Sequence, residues 1–117
     1  MWEDRFRYSR AVVVGRQVYV GGTAPQMPHG GDPPRGAYAQ ARRCLEIVVA
    51  ALAEAGAGPG DVVRTRIYVT RADIIEDVMR AHGEVFGAAR PAVTGVVVEL
   101  LDRRWLVEIE VDAVLPS

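Results

Sequence analysis

The sequence predicts an α+β domain in which two helices cover one face of a mostly antiparallel sheet. Short β-branched runs flank a Gly-Arg pair, two segments repeat apolar residues at helical spacing, and alternating runs follow each of those segments. The predicted order is β-β-α-β-α-β-β, which is typical of an α+β layer. The 117 residues are half apolar and a quarter charged, as expected of one soluble domain spanning residues 1–117.

The first third of the chain predicts a hairpin followed by a long loop. Two β-branched runs, Ala11–Val14 and Gln17–Gly21, are separated by Gly15-Arg16, which indicates a tight turn. Residues Gly22 to Gly36 are rich in glycine and proline and predict a loop longer than the usual ~4–6 residues. Such a loop is either part of a functional site or a mobile flap.

The first helix is predicted over Tyr38 to Ala55, with Gly56 and Gly58 as its stop signal. Its apolar positions repeat at three and four residues. The apolar face consists of Ala41, Cys44, Leu45, Val48 and Leu52, whereas Gln40, Arg43, Glu46 and Glu54 lie largely off it.

The second half predicts one strand, one helix and two further strands. In the strand Val62 to Val69, the residues Val63, Thr65, Ile67 and Val69 face one way and Arg64, Arg66 and Tyr68 the other. A helix is predicted over Ile74 to Phe86, and Gly87 is its stop signal. Asp73 is its expected N-cap and pairs with Glu76 in a capping box. Its apolar face consists of Ile75, Val78, Met79, His82 and Phe86. The last strands are predicted at Thr94 to Leu100 and Leu106 to Val114.

Composition excludes several classes of function. A net charge of −1 gives no electrostatic basis for binding nucleic acid or an anionic membrane, and no apolar run reaches the ~20 residues of a membrane span. The polar N-terminus is unlike a signal peptide, and the single cysteine, Cys44, fits a reducing cytoplasm as a buried, inert thiol. We expect His29 to be solvated and His82 to lie in the core. We expect neither a metal site nor a cofactor, because no side chains have ligand spacing and no glycine pair lies in a phosphate-binding context.

Two C-terminal segments together resemble a family signature. They are Arg90-Pro91-Ala92-Val93-Thr94-Gly95 and Val107-Glu108-Ile109-Glu110. Their spacing is similar to that of the RidA/YjgF family of enamine/imine deaminases, which has Pro-Ala-Arg-Ser before a Val-Glu-Ile-Glu-like strand. Weaker matching pieces extend the resemblance from Tyr8 to Val114. It implies a chorismate-mutase-like/YjgF fold and a homotrimer with a central β-barrel, whose small-molecule ligands bind in clefts between subunits.

The resemblance also indicates which residues form the site. Tyr8 falls on an active-site tyrosine, and Glu108 falls on the carboxylate that positions the hydrolytic water. Four other site positions are changed: Gly21 replaces a serine, Met79 an asparagine, Val93 an arginine and Gly95 a cysteine. The arginine is the family's carboxylate clamp, so the pocket of this chain is altered.

Chemistry explains why the loss of that arginine matters. Hydrolysis of a 2-imino acid needs a bidentate donor for the carboxylate and a base that orients water toward the imine carbon. Valine offers no donor, and losing a buried charged pair costs ~2–5 kcal/mol. We therefore expect poor activity on simple imino acids.

Other residues are candidates to replace the clamp. Arg10 points to the same side as Tyr8 if that segment is extended. Arg90 is expected to be extended because it precedes Pro91. Both are alternatively solvated or interface charges. Thr94 is a further candidate ligand contact through its hydroxyl or amide.

Several functions remain open at this point. Glu108 is either a general base or, with Glu110 and Asp112, part of a charge pairing with Arg64 and Arg66 across the sheet. The protein is either an imine or enamine hydrolase or a non-catalytic binding protein on the same fold. Ribonuclease activity and translation inhibition, labels that the family has carried, are disfavoured because the chain has no basic stripe, aromatic platform or paired histidines. Trp105, before the last strand, is a candidate interface residue.

Overall fold

The protein folds as one five-stranded sheet with its two long helices on the same side. The computed structural model describes residues 2–117, apart from the side chain of residue 2. The strands are β1 (Ala11–Val14), β2 (Gln17–Thr23), β3 (Val62–Val69), β4 (Ala92–Val97) and β5 (Val107–Val114). The helices are α1 (Trp2–Phe6), α2 (Ala37–Glu54) and α3 (Ile75–Phe86). The predicted order is confirmed, and the short α1 is an addition that the sequence patterns did not indicate.

The sheet is mixed. Its strand order is β1-β2-β5-β3-β4, and every pair is antiparallel except β3 with β4, which is parallel. The turn between β1 and β2 is the predicted two-residue one, with Gly15 at a φ of 61°. A left-handed first turn residue matches the twist of a hairpin and is easiest for glycine.

The core lies between the sheet and helices α2 and α3. Along β5, alternate residues are buried while those between them face the other side and are partly exposed. The whole predicted apolar face of α2 is buried, with Cys44, Val48 and Leu52 completely so. Each fully buried Leu or Val contributes roughly 1.5–3 kcal/mol relative to an exposed one. Helix α2 ends as predicted, since Gly56 has a φ of 90° and the Ala57 N–H donates to Leu52 O at 2.8 Å.

The opposite face of the sheet, away from α2 and α3, bears paired charges. Arg66 on β3 lies 3.6 Å from Glu110 and 3.3 Å from Asp112, both on β5. The Tyr68 hydroxyl donates to Glu110, and this hydrogen bond raises the pKa of Tyr68. The expected pairing across the sheet is therefore present for Glu110 and Asp112.

Two orientation predictions are wrong. Val63 does not share the buried face of Thr65, because the pairing of β3 with β5 is irregular between Val62 and Arg64. Val62 is 2% exposed and Val63 is 49% exposed, as expected where one extra residue interrupts the alternation. Gln40 does not lie off the buried face of α2; it is 3% exposed.

Three further predictions, on a helix cap, on the bounds of a strand and on a backbone conformation, also need correction. Asp73 does not cap α3: it pairs with Arg71 at 3.0 Å, and Ala72–Ile74 forms a 3-10 turn before the helix. Strand β4 begins and ends earlier than expected, since its parallel pairing runs from Ala92 beside Arg64 to Val97 beside Val69. Arg90 is not extended; its φ is 50°, and its N–H donates to Phe86 O at 3.1 Å.

In the described part of the chain, no helix has both the length and the apolar character needed to cross a membrane.

Candidate active site

Three of the predicted site residues line one cleft. Tyr8, Arg10 and Glu108 border a cavity of about 740 Å³. The loop after β2, residues 24–31, contributes one stretch of its lining, and the loop before β5, residues 101–105, contributes the other. We call these two stretches the β2 wall and the β5 wall. A cavity of this size is within the ~300–1,000 Å³ of small-molecule sites.

Two carboxylates line the cleft: Asp102 is paired with Arg104, and Glu108 is the one without an ion pair among residues 2–117. Burial raises its pKa, and Glu110 adds to the increase, whereas Arg10 opposes it. A carboxylate with a raised pKa is a better proton acceptor at neutral pH than an ordinary one.

Gly22 makes room for this carboxylate. A Cβ at position 22 would overlap Glu108 Oε2 and lie 3.3 Å from its Cδ. Gly22 sits at the irregularity in the pairing of β2 with β5, between Val20 and Thr23. The glycine therefore lets the main chain approach the Glu108 side chain closely.

Arg10 supplies a positive charge beside Glu108. Its Nη1 donates to Gly22 O and to Thr23 Oγ1, both at 3.1 Å. The Thr23 hydroxyl is completely buried and donates in turn to Gly21 O at 2.8 Å. No ion pair within residues 2–117 includes Arg10. Its guanidinium thus keeps donors for a ligand.

The second arginine of the cleft is already neutralised. Arg104 lies 2.8 Å from Asp102 and 3.2 Å from Asp32, so it links the β5 wall to the loop that follows the β2 wall. The hydrogen bonds that Arg104 donates to Asp102 hold the pKa of the Asp102 carboxyl below its usual range. Arg10 is therefore the cation better placed to receive an anionic ligand.

The remaining predicted residues do not join this cleft within one chain. Gly21 is adjacent to it, with its N–H donating to Arg10 O at 3.0 Å. The other five lie on or beside α3 and β4, at the far edge of the sheet: Met79, Arg90, Val93, Thr94 and Gly95. Register places Val93 beside the buried Thr65 and Gly95 beside the buried Ile67, on the helix side, and Thr94 beside Arg66 on the open side.

The cleft also contains residues that the sequence did not single out as ligand contacts. Met27, Leu101 and Trp105 make much of its lining apolar. His29, expected to be solvated, is exposed but borders the cleft with a φ of 59°. The glycine- and proline-rich composition of the loop is the signal that indicates the β2 wall, whereas only the structure shows that Trp105 lines the same cleft.

The other candidates have structural roles. The buried His82 shares a 2.9 Å hydrogen bond with Thr65 and packs edge-on against Phe86 at 5.3 Å, and burial lowers its pKa. Cys44 is completely buried, and burial raises the pKa of its thiol. Across residues 2–117, no three His, Cys, Asp or Glu side chains cluster as a metal site would require.

Comparison with known proteins decides the family. A sequence model described as Endoribonuclease L-PSP matches residues 3–115. The chain belongs to the RidA/YjgF family. A solved YjgF/YER057c/UK114-family structure from Mycobacterium tuberculosis is 42% identical, covers 97% of this chain and 92% of its own, and superposes with a TM-score of 0.87. The predicted family and its fold are thereby confirmed.

Two Escherichia coli members of the RidA/YjgF family have names that bear on chemistry. One, named 2-iminobutanoate/2-iminopropanoate deaminase, is 32% identical over 92% of this chain and 86% of its own length. The other is a structure of TdcF with bound serine, with 28% identity and a TM-score of 0.84 over 93% of this chain and 88% of that one. Relatives of this chain therefore include a named imine deaminase.

Proposed function

We propose that the protein is a homotrimeric hydrolase of an imine, enamine or similar reactive metabolite, with Glu108 positioning the attacking water. The observation that carries this proposal is the convergence of Tyr8, Arg10 and Glu108 on one cleft, where burial raises the pKa of Glu108. The relative named 2-iminobutanoate/2-iminopropanoate deaminase supports the reaction class.

The proposed reaction adds water across a carbon–nitrogen double bond. Glu108 accepts a proton from water as the water oxygen attacks the carbon of a protonated imine, giving a carbinolamine. Glu108 then passes this proton to the amine nitrogen and accepts the hydroxyl proton of the carbinolamine as the carbon–nitrogen bond breaks, which releases ammonia and a carbonyl product. A well-placed general base contributes about 10²–10⁴-fold. Tyr8 shapes the pocket beside these atoms.

Arg10 is the proposed anchor for an anionic group on the substrate. Val93, which replaces the family's arginine, has no donor, whereas Arg10 keeps donors beyond those bound to Gly22 and Thr23. An anion held by Arg10 enters the site from a different direction than one held at position 93. The protein is therefore proposed to differ from a standard 2-imino acid deaminase in how it orients its substrate.

Exposed apolar surface supports the trimer. Several valines of the outer strands β1 and β4 are 41–59% exposed, and Leu101 at the cleft is 95% exposed. Such surface favours burial between copies of a domain this small. In the proposed assembly, Met79, Val93, Thr94 and Gly95 of a neighbouring subunit complete the cleft. Sedimentation velocity at micromolar concentration should give three times the chain mass, and a stable monomer would contradict the assembly.

The function is tested with 2-imino acids generated in situ by an amino-acid oxidase and trapped competitively by semicarbazide. Wild type should lower the trapped imine, and Arg10→Met should reduce kcat/KM by about 30-fold or more, as for loss of a charged pair worth ~2–5 kcal/mol. Adding Val93→Arg to Arg10→Met should restore part of the rate. Hydrolysis by wild type that Arg10→Met leaves unchanged would remove Arg10 from the proposal.

A non-catalytic binding protein is the second candidate, and the apolar residues Val93 and Met79 at two of the altered positions favour it. Saturable binding of a 2-keto acid without hydrolysis of any imine would support it. A ribonuclease is not proposed, because His82 is buried in hydrogen-bonded contact with Thr65 and the net charge is −1.

A further inference from the structure

Gln40 is a buried side chain whose hydrogen bonds all go to the main chain of two other segments. Its Nε2 donates to Pro34 O at 3.1 Å and to Arg104 O at 3.0 Å, while its Oε1 accepts from the Leu106 N–H at 2.8 Å. Two carbonyls and one N–H allow only this orientation of the amide. The side chain is 3% exposed, so water does not substitute readily for these partners.

Both segments belong to the surroundings of the cleft. Pro34 follows the β2 wall along the chain, Arg104 belongs to the β5 wall, and Leu106 is two residues before Glu108. The side-chain amide of Gln40 on α2 is therefore hydrogen-bonded to the main chain of both loops and to Leu106, which immediately precedes the strand that carries Glu108.

Another link between the same loops is weaker. The Arg104–Asp32 pair spans them at 3.2 Å, but the Asp32 side chain is almost fully exposed. Exposed ion pairs contribute little to stability because solvent and salt screen them. The buried amide is thus the stronger constraint on how far apart the two walls lie.

We propose that Gln40 is a positioning residue of the cleft, setting the separation of its two walls and the placement of Glu108. The catalytic part of this inference rests on the function proposed above. Replacing the amide by an apolar group of similar length leaves two carbonyls and one N–H without partners. Because both segments are loops, they can move to reach water, and that movement would widen the cleft.

The first test is residue-resolved hydrogen exchange on Gln40→Met, which needs no substrate. Four amides that are hydrogen-bonded in wild type, those of residue 40, Arg104, Trp105 and Leu106, should exchange at least tenfold faster in the variant, while β3 keeps its protection. The matched control is Thr65→Val, which breaks a different buried hydrogen bond, the one to His82. This control should lower Tm to a similar degree but leave the exchange rates of those four amides as in wild type.

A second variant covers the case in which Gln40→Met does not fold. Gln40→Glu keeps an acceptor for Leu106 but, when ionised, has no donor for Pro34 O and Arg104 O. It should speed exchange at the amides of residue 40, Arg104 and Trp105 while the Leu106 amide stays protected. Wild-type exchange at residue 40, Arg104 and Trp105 in either folded variant would overturn the proposal, and so would a loss of protection spread evenly over β3 as well.

Catalysis separates this inference from the function it builds on. Gln40→Met should lower kcat/KM for imine hydrolysis by about 100-fold, the order expected from a 1 Å misplacement of a reacting group, with kcat falling as well as KM rising. If wild type hydrolyses no imine, the proposed function fails while the exchange data still decide whether Gln40 fixes the walls. If wild type is active and Gln40→Met matches Thr65→Val in kcat and KM, only the inference on Gln40 fails.

Discussion

Substituting alanine for Gly22 tests whether the position of the Glu108 carboxylate governs activity. The new Cβ would overlap Oε2 and lie 3.3 Å from Cδ of Glu108. The first of these contacts is closer than real Cβ atoms allow, so the carboxylate must move by about 1 Å or more, and misplacement of that size costs about 100-fold in rate. The atom that yields is the end of a flexible side chain, and Gly22 does not have a positive φ. The fold should therefore lose less than about 1 kcal/mol.

The assay compares kcat for imine hydrolysis with the free energy of unfolding in urea. The kcat of Gly22→Ala should be about 100-fold below that of wild type, while its free energy of unfolding stays near the wild-type value. Gly83→Ala is the control, since a Cβ there meets nothing within 4 Å and α3 should gain about 0.5–1 kcal/mol from the better helix former. A Gly22→Ala variant with wild-type kcat, or one whose activity falls only in proportion to its folded fraction, would refute the reasoning.

The remaining predictions concern acidity, specificity and stability. Because the pKa of Glu108 is raised by burial, kcat/KM should fall as pH drops through a value above the ordinary 4.5 of a glutamate, and a pH–rate profile measures this. The same raised pKa means that the folded state binds the Glu108 proton more tightly than the unfolded state does. Ionised Glu108 therefore destabilises the fold at pH values above its folded pKa. Glu108→Gln should raise Tm at pH 7 by more than it does at pH 4, and thermal unfolding at the two pH values measures this. Trp105→Ala should lower kcat/KM about tenfold for imines with large apolar side chains. The kcat/KM for the imine with the smallest side chain should stay nearly unchanged, and a series of substrates of increasing size tests this. Burial lowers the pKa of His82, so below about pH 6.5 the unfolded state takes up a proton there that the folded state does not. The Tm of wild type should therefore fall as pH drops below that value. Calorimetry on His82→Phe should show a Tm that depends less on pH.

Periodicity predicted the parts of the fold that local chemistry determines. The apolar repeat of α2, the two-residue turn at Gly15 and the stop at Gly56 each depend on neighbours within a few residues, and each is confirmed. Val63 was misplaced because a bulge is a property of how β3 pairs with β5, strands that lie far apart in sequence. The early start of β4 has the same cause, since its bounds follow from parallel pairing with β3.

Gln40 shows why a polar residue on a helix is hard to assign from sequence. Glutamine is usually exposed, and position 40 lies at the margin of the apolar repeat. It is buried because main-chain groups at Pro34, Arg104 and Leu106 converge on it, and two of those are more than 60 residues away. No local signal reports such partners.

The candidate site was predictable where the family resemblance, or short spacing from a family position as for Arg10 and Thr94, supplied residues, and not where distant loops meet. Tyr8, Arg10 and Glu108 were named from sequence, and the structure places all three on one cleft. Met79, Val93, Thr94 and Gly95 were named in the same way and lie at the other edge of the sheet. In the proposed trimer a neighbouring subunit brings the second set to the cleft, so the joint role of the two sets stays a prediction.

The most direct test of the proposed hydrolase is the rate of 2-iminopropionate hydrolysis by wild type beside Glu108→Gln. The two side chains have nearly the same shape, and only the glutamate can accept a proton from water. The proposal expects wild type to exceed the spontaneous rate and Glu108→Gln to lose about 100-fold or more of that enhancement. Equal rates for the two proteins above the spontaneous reaction would contradict the assignment of Glu108 as the base.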